Sequence, residues 1–185
     1  NLELLKEQKT YWYYKRGLLF IDLDMNTKSV EGRQIQNAVL GYNRKHPGRL
    51  CLQWSVAHLG KIALYSKLHK GTASGKTILQ TQVKHLEKLL TKLDVAIETK
   101  RLIWRLDCGY FSENNLVFMN KNRRRFITRI PKNLKIVQPY WKDKNLQWKL
   151  YSKNSKYANA ELITFPDSQL EVRLILLKVS RKKKI

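Results

Sequence analysis

Two aspartates, Asp24 and Asp107, end apolar runs in a chain that is otherwise strongly basic. Asp24 closes Gly17-Leu18-Leu19-Phe20-Ile21-Asp22-Leu23-Asp24, and Asp107 closes Arg101-Leu102-Ile103-Trp104-Arg105-Leu106-Asp107. If the two runs are neighbouring strands of one sheet, both carboxylates meet at the same rim, where open α/β sheets place their ligands. Carboxylates held together repel unless a cation offsets them, and hard oxygen donors suit Mg²⁺ or Mn²⁺. Such ions activate a water and stabilise the leaving oxygen of a phosphodiester. Asp22 precedes Asp24 by two residues, which puts it on the same strand face and makes it a further candidate metal ligand. For each aspartate alone an ordinary strand end is the favoured reading, and Asp107-Cys108-Gly109 is a good turn sequence. The expectation therefore rests on the pair.

Other groups with chemical potential are weaker. Gly71-Thr72-Ala73-Ser74-Gly75-Lys76-Thr77 has the look of a phosphate-binding loop, but that loop requires four residues between its glycines. Here there are three, and Lys70 stands where the first glycine belongs. A flexible turn followed by a helix start is the better reading. His46, His58, His69 and His85 have no zinc spacing with Cys51 or Cys108. Cys108 lies beside Asp107 and reads as a small packed residue. The runs Arg123-Arg124-Arg125 and Arg181-Lys182-Lys183-Lys184 would be solvated faces in most proteins; in this one they are candidates for phosphate contact. Trp141 and Trp148 suit either base stacking or packing in a β-rich region.

The reason for favouring phosphate is the charge balance. The 185 residues carry 37 Lys and Arg against 14 Asp and Glu, a formal net charge of +23. Self-repulsion of that size opposes compaction unless a polyanion supplies the missing charge, and nucleic acid is the leading candidate. Hydrophobic residues make up 43% of the chain, enough for a core, so a disordered basic tail is excluded. The length fits one domain, or one domain with part of another. No apolar run approaches the roughly 18 residues of a membrane span, and no signal peptide opens the sequence. Two cysteines cannot build a disulfide framework or a four-thiolate zinc site. A reduced, cytoplasmic and nucleoid-associated setting is expected. The first residue is Asn1 and the last is Ile185, after three lysines, and a piece of a longer protein is expected.

These side chains need a scaffold, and the periodicity supplies one. The run before Asp24 predicts a strand buried on both faces. Residues 50–59 and 61–68 predict two strands joined at Gly60 as a hairpin. Leu79, Val83, Leu86, Leu90 and Leu93 recur every three or four residues and predict a helix capped by Ser74 or Thr77. The strand ending at Asp107 follows, then a shorter helix beginning at Ser112 and Asn115, then a strand over residues 125–130 stopped by Pro131. Beyond Pro131, residues 136–140, 146–151, 161–165 and 170–179 are short segments rich in β-formers with no helical period. Residues 1–16 are mixed and suit the end of a helix. The expected organisation is an α/β part, 1–131, followed by a β-rich part, 132–185.

Three ordered motifs resemble those of bacterial insertion-sequence transposases of the DDE type. The first is the apolar run ending in Asp24, with Gly32 eight residues later. The second is the loop Gly41-Tyr42-Asn43-Arg44-Lys45-His46-Pro47-Gly48-Arg49. The third is Arg105-Leu106-Asp107-Cys108-Gly109-Tyr110-Phe111-Ser112, similar to the family's Arg-x-Asp-Ser-Gly-Phe segment. Together they cover residues 18 to about 130. Asn26 stands where the family usually has Thr, and Cys108 where it has Ser. The resemblance implies an RNase H-like mixed sheet with flanking helices, followed by the start of a β-rich insertion. It also implies that Asp24 and Asp107 are the first two acids of a triad binding two Mg²⁺ ions, with DNA, transposon ends and target, as the partner. The third acid, a Glu on a later helix, is not recognisable, and Glu161, Asp167 and Glu171 have the wrong surroundings. The implied activity is DNA cleavage and strand transfer. A basic nucleic-acid-binding remnant without catalysis and a stand-alone nuclease of the same fold are the alternatives. A homodimer of the full-length protein is compatible with the resemblance, although the sequence names no oligomeric state.

Overall fold

Alternating burial along the first apolar run shows which face it gives to the core. In the computed structural model, which describes residues 17–32, 34–92, 101–131 and 133–179, strand β1 (Leu19–Ser29) buries Leu19, Ile21 and Leu23 and leaves Phe20 and Asp22 half-buried. The expectation of burial on both faces is thereby corrected: the run is one-sided, and the acids occupy the second face. Period-two geometry then carries Asp24 and Asn26 to that face as well.

Around β1 the sheet is mixed. Strand β3 (Leu50–Leu59) runs antiparallel to β1, from Ile21↔Leu59 to Ser29↔Cys51. It returns through Gly60, whose φ of +59° suits a residue without Cβ, into β4 (Ile62–Lys70). The two-residue β2 (Val39–Leu40) pairs with the start of β3. On the other side of β1 lie β5 (Leu102–Leu106), parallel to it with Leu23 opposite Leu106, and β6 (Arg125–Thr128), parallel to β5. The six strands have the order β2-β3-β1-β5-β6, with β4 also on β3. An antiparallel hairpin on one side of the first strand and parallel crossover strands on the other is the RNase H-like arrangement expected.

The crossovers are helical because their apolar residues fall on one stripe. Helix α1 (Gly75–Thr91) buries Leu79, Val83, Leu86 and Leu90 in one cluster with Ile21, Leu23, Trp104 and Leu106. Each fully buried aliphatic side chain contributes roughly 1.5–3 kcal/mol relative to exposure. Leu93, the last residue of the predicted stripe, lies outside the described residues. The helix starts at Ser74 as expected: the Thr77 hydroxyl donates to the Ser74 carbonyl at 2.9 Å and accepts from its N–H at 3.4 Å. Helix α2 (Glu113–Lys121) is capped by the Ser112 hydroxyl, which accepts from the Asn115 N–H at 3.3 Å. The predicted helix end in residues 1–16 is also outside the described residues.

The turn before α1 differs from the flexible one expected. A Cβ on Gly71 would lie 2.2 Å from the Cys51 carbonyl oxygen, and one on Gly41 would lie 2.0 Å from the Gly71 oxygen. These glycines are needed because three backbone segments touch, a packing demand that leaves the turn fixed.

The chain divides between Arg129 and Ile130 into two compact units. The second unit contains a short helix, α3 (Gln138–Lys142), and an antiparallel sheet β7-β8-β9 formed by Lys149–Ser152, Ser155–Thr164 and Glu171–Val179. Residues 136–140 were expected to be extended; instead α3 begins at Gln138, with Pro139, whose fixed φ suits a first helical turn, as its second residue. Ala158, Ile163, Leu174 and Leu176 are buried in this unit. Trp148 lies under the Lys178 ammonium, 4.1 Å from the ring centroid.

Candidate active site

Register alone places Asp24 and Asp107 together. Leu23 and Leu106 are partners in the parallel β1–β5 ladder, both buried on the α1 face. The next residue of each strand is Asp24 and Asp107, and in an extended chain both turn to the opposite face. There they line one open cleft of about 380 Å³ with Asp22, Arg105, Thr128 and Arg129. Asp107 follows the end of β5, but Asp24 is mid-strand, because β1 runs on to Ser29 along β3 instead of closing at Asp24 as expected.

Asp24 is held by its own strand. One carboxylate oxygen accepts from the Met25 N–H at 2.8 Å, and the other from the Asn26 side-chain amide at 3.0 Å. Its carbonyl accepts from the Tyr110 hydroxyl at 3.0 Å, and that hydroxyl also lies 3.2 Å from Gln82 Oε1. Burial, and after it the negative charge of Asp24, hold the Tyr110 phenol well above its ordinary range, so it stays a donor. Asn115, almost fully buried, donates to the carbonyls of Tyr110 at 2.9 Å and Lys76 at 3.0 Å. The turn after Asp107 is thus tied to the start of α1 and to the strand carrying Asp24.

Asp22 differs from its neighbours. Both its oxygens accept from the Arg105 guanidinium, through Nε and Nη2, and the same guanidinium lies over the Phe20 ring at 5.0 Å. A cation of the chain already offsets this carboxylate, so metal ligation by Asp22 would require breaking a bidentate pair. Cys108, expected to be a small packed residue, is exposed instead. Partial desolvation of its thiol, then the charge and hydrogen bond of Asp107, push its pKa up, which disfavours a thiolate nucleophile.

The arginine run divides. Arg123 is exposed just after α2 in a left-handed conformation, φ +52°, and Arg125 is exposed on β6. Arg124 corrects the expectation for the run: its side chain is only 10% exposed. Its Nη2 and Nε donate to Glu87 at 2.9 and 2.6 Å, Nη1 donates to the Phe118 carbonyl at 3.0 Å, and the group stacks on the Phe118 ring. It joins α1 to α2, and its guanidinium is already paired with Glu87. Arg124→Met is expected to lower unfolding stability by about 2 kcal/mol, read from urea denaturation, with DNA affinity little changed. The run Arg181-Lys182-Lys183-Lys184 lies outside the described residues.

Arg105, Arg129, Asn26 and Tyr110 lie next to the two aspartates. Sequence assigned none of them a role at the site, and Arg105, Asn26 and Tyr110 appeared only as members of the family motifs. Arg105 carried a usable signal, since it stands two residues before Asp107 and therefore on the same strand face.

No protein-family model matches the sequence, and a search of curated proteins finds no match. Among solved structures the chain is similar to the Mos1 transposase paired-end complex with left transposon end, at 12% identity and a TM-score of 0.43, covering 71% of this chain and 41% of that one. It is also similar to the Mos1 mariner paired-end complex with Mn, at 14% identity and a TM-score of 0.43, with the same coverage. A pre-cleavage Mos1 transpososome is similar at 11% identity and a TM-score of 0.43, covering 71% of this chain and 42% of that one. The chain spans less than half the length of these proteins.

The donor set is compatible with a hard divalent cation. Among the described residues no group of three or more His, Cys, Asp or Glu side chains is placed to hold a metal ion. Mg²⁺, however, is commonly held by one or two carboxylates, with waters and substrate phosphates filling its remaining positions. Asp24 and Asp107 on one open cleft fit that pattern. No helix among the described residues is long and apolar enough to cross a membrane.

Proposed function

We propose that this chain is the N-terminal part of a DDE transposase catalytic domain, and that the whole protein cuts DNA at transposon ends and joins the freed 3′-hydroxyl to target DNA. The observation that carries this reading is the position of Asp24 and Asp107 on one open cleft, each one residue past the last pair of the parallel β1–β5 ladder. The three ordered sequence motifs and the net charge of +23 support it.

Asp24 and Asp107 would hold Mg²⁺ or Mn²⁺. A bound ion of this kind supplies positive charge where the phosphodiester becomes more negative and lowers the pKa of an attacking water. Asn26 and the Met25 N–H fix the orientation of the Asp24 carboxylate, so little reorientation accompanies ligand binding. Arg105 removes the charge of Asp22 and keeps a third carboxylate from repelling the phosphate. Arg129, at the cleft edge, and the exposed Arg123 and Arg125 attract the DNA backbone without reading sequence.

Cleavage assays on supercoiled DNA with the full-length protein test this reading. Nicking is expected with Mg²⁺ or Mn²⁺ and loss of nicking with excess chelator. Cleavage that persists under chelation would contradict it. That no group of three or more His, Cys, Asp or Glu side chains among the described residues is placed to hold a metal ion favours one second reading, a basic DNA-binding protein without catalysis. DNA binding with no metal-dependent cutting by the full-length protein would select it.

A further inference from the structure

Residues 41–49 form no strand or helix, yet buried groups pin the start of this loop from both sides. The Gln53 amide, 4% exposed, donates at 3.1 Å to the Tyr42 carbonyl and at 3.1 Å to that of Gly71. The Thr27 hydroxyl lies 3.0 Å from Gln53 Oε1 and 3.2 Å from the Tyr42 carbonyl. The Asn43 side chain, 6% exposed, donates to the Ser29 hydroxyl at 2.9 Å and accepts from the His46 N–H at 3.1 Å. Between these anchors the Tyr42 side chain is 77% exposed. Buried polar groups are costly unless satisfied, and here their bonds fix a backbone whose aromatic side chain is turned into solvent. Arg44 and Lys45 follow at once, both exposed.

A rigidly mounted, exposed ring followed by two cations matches what a nucleotide offers, an aromatic face linked to phosphates. We propose that Tyr42 is a stacking platform for an unpaired base of single-stranded DNA, with Arg44 and Lys45 on its adjoining phosphates. This rests on the DNA-processing reading above and adds to it a defined nucleotide contact.

The test is binding of the full-length protein to a short single-stranded oligonucleotide carrying a fluorescent base whose emission is quenched by stacking, titrated at several salt concentrations. Tyr42→Ala is expected to weaken binding about tenfold and to abolish quenching, with the salt dependence unchanged. Tyr42→Phe keeps the ring and is expected to behave as wild type. Arg44→Ala and Lys45→Ala are each expected to lower the slope of log K against log salt by about 0.7. Far-ultraviolet circular dichroism verifies that each exposed-site variant is folded. Wild-type affinity and quenching in Tyr42→Ala would overturn the platform while leaving the carboxylate reading intact. Failure of the wild-type protein to bind DNA at all would remove both.

Discussion

Asp24→Asn in the full-length protein is expected to lower strand cleavage about a thousandfold or more while leaving DNA binding unchanged or slightly tighter. The size follows from the several kcal/mol that a correctly held metal ion contributes to stabilising charge in the transition state. The variant is suited to isolating that effect. Asparagine keeps the shape and can still accept the Met25 N–H through its carbonyl oxygen. The second contact, from the Asn26 amide, is lost, but that side chain is exposed and can turn to water. Binding does not fall because removing a negative charge beside the phosphates reduces repulsion. Asp107→Asn is expected to give the same pattern, and wild-type cleavage in either variant would remove the assignment. The double variant is expected to be no worse than the single ones, since the two acids act as a unit.

Gly71→Ala is expected to lower stability by about 3 kcal/mol, the largest effect anticipated for adding one methyl group. The new Cβ would lie 2.2 Å from the Cys51 oxygen and 2.7 Å from the Val39 oxygen. Both are backbone atoms of paired strands, so relief requires β2 and the start of β3 to move, together with the Gln53 bond to the Gly71 carbonyl. Gly48→Ala is a useful contrast: no atom lies within 4 Å of the added Cβ, and only its φ of +78° opposes the change. Left-handed strain alone costs about 1–2 kcal/mol. Urea midpoints for the two variants compare the effects directly, and a Gly71→Ala variant as stable as wild type would contradict the close backbone approach.

The frame of the first unit was legible because its signals are local. Apolar runs ending in Asp24 and Asp107 indicated strands, and the leucine stripe from Leu79 to Leu90 indicated the crossover helix. Such an order of elements leads to a mixed sheet with few alternatives. The meeting of the two acids followed from strand parity once both strands were placed. What sequence missed depends on register or on contacts between distant residues. Arg105 faces Asp22 because the β1–β5 register makes them partners, and no pattern in either strand alone states that register. Arg124 looked like its neighbours until the approach of α1 brought Glu87 to it. Gly71 read as a turn because glycine signals both bending and close contact, and only the folded chain distinguishes them. In the second unit the segments are short and mixed. Pro139 turned an apparent strand into a helical turn, and the first half of β8, from Ser155, was hidden by polar residues on its exposed face.

Titration of the full-length protein with Mn²⁺, followed by the loss of free-ion electron paramagnetic resonance signal, tests the shared carboxylate site most directly. Wild-type protein is expected to take up the ion, Mg²⁺ to compete for it, and Asp24→Asn or Asp107→Asn to weaken uptake by tenfold or more, about 1.4 kcal/mol. Asp22→Asn is expected to have little effect, because Arg105 already holds that carboxylate. Equal Mn²⁺ uptake by wild type and both variants would contradict the claim that Asp24 and Asp107 bind one cation between them.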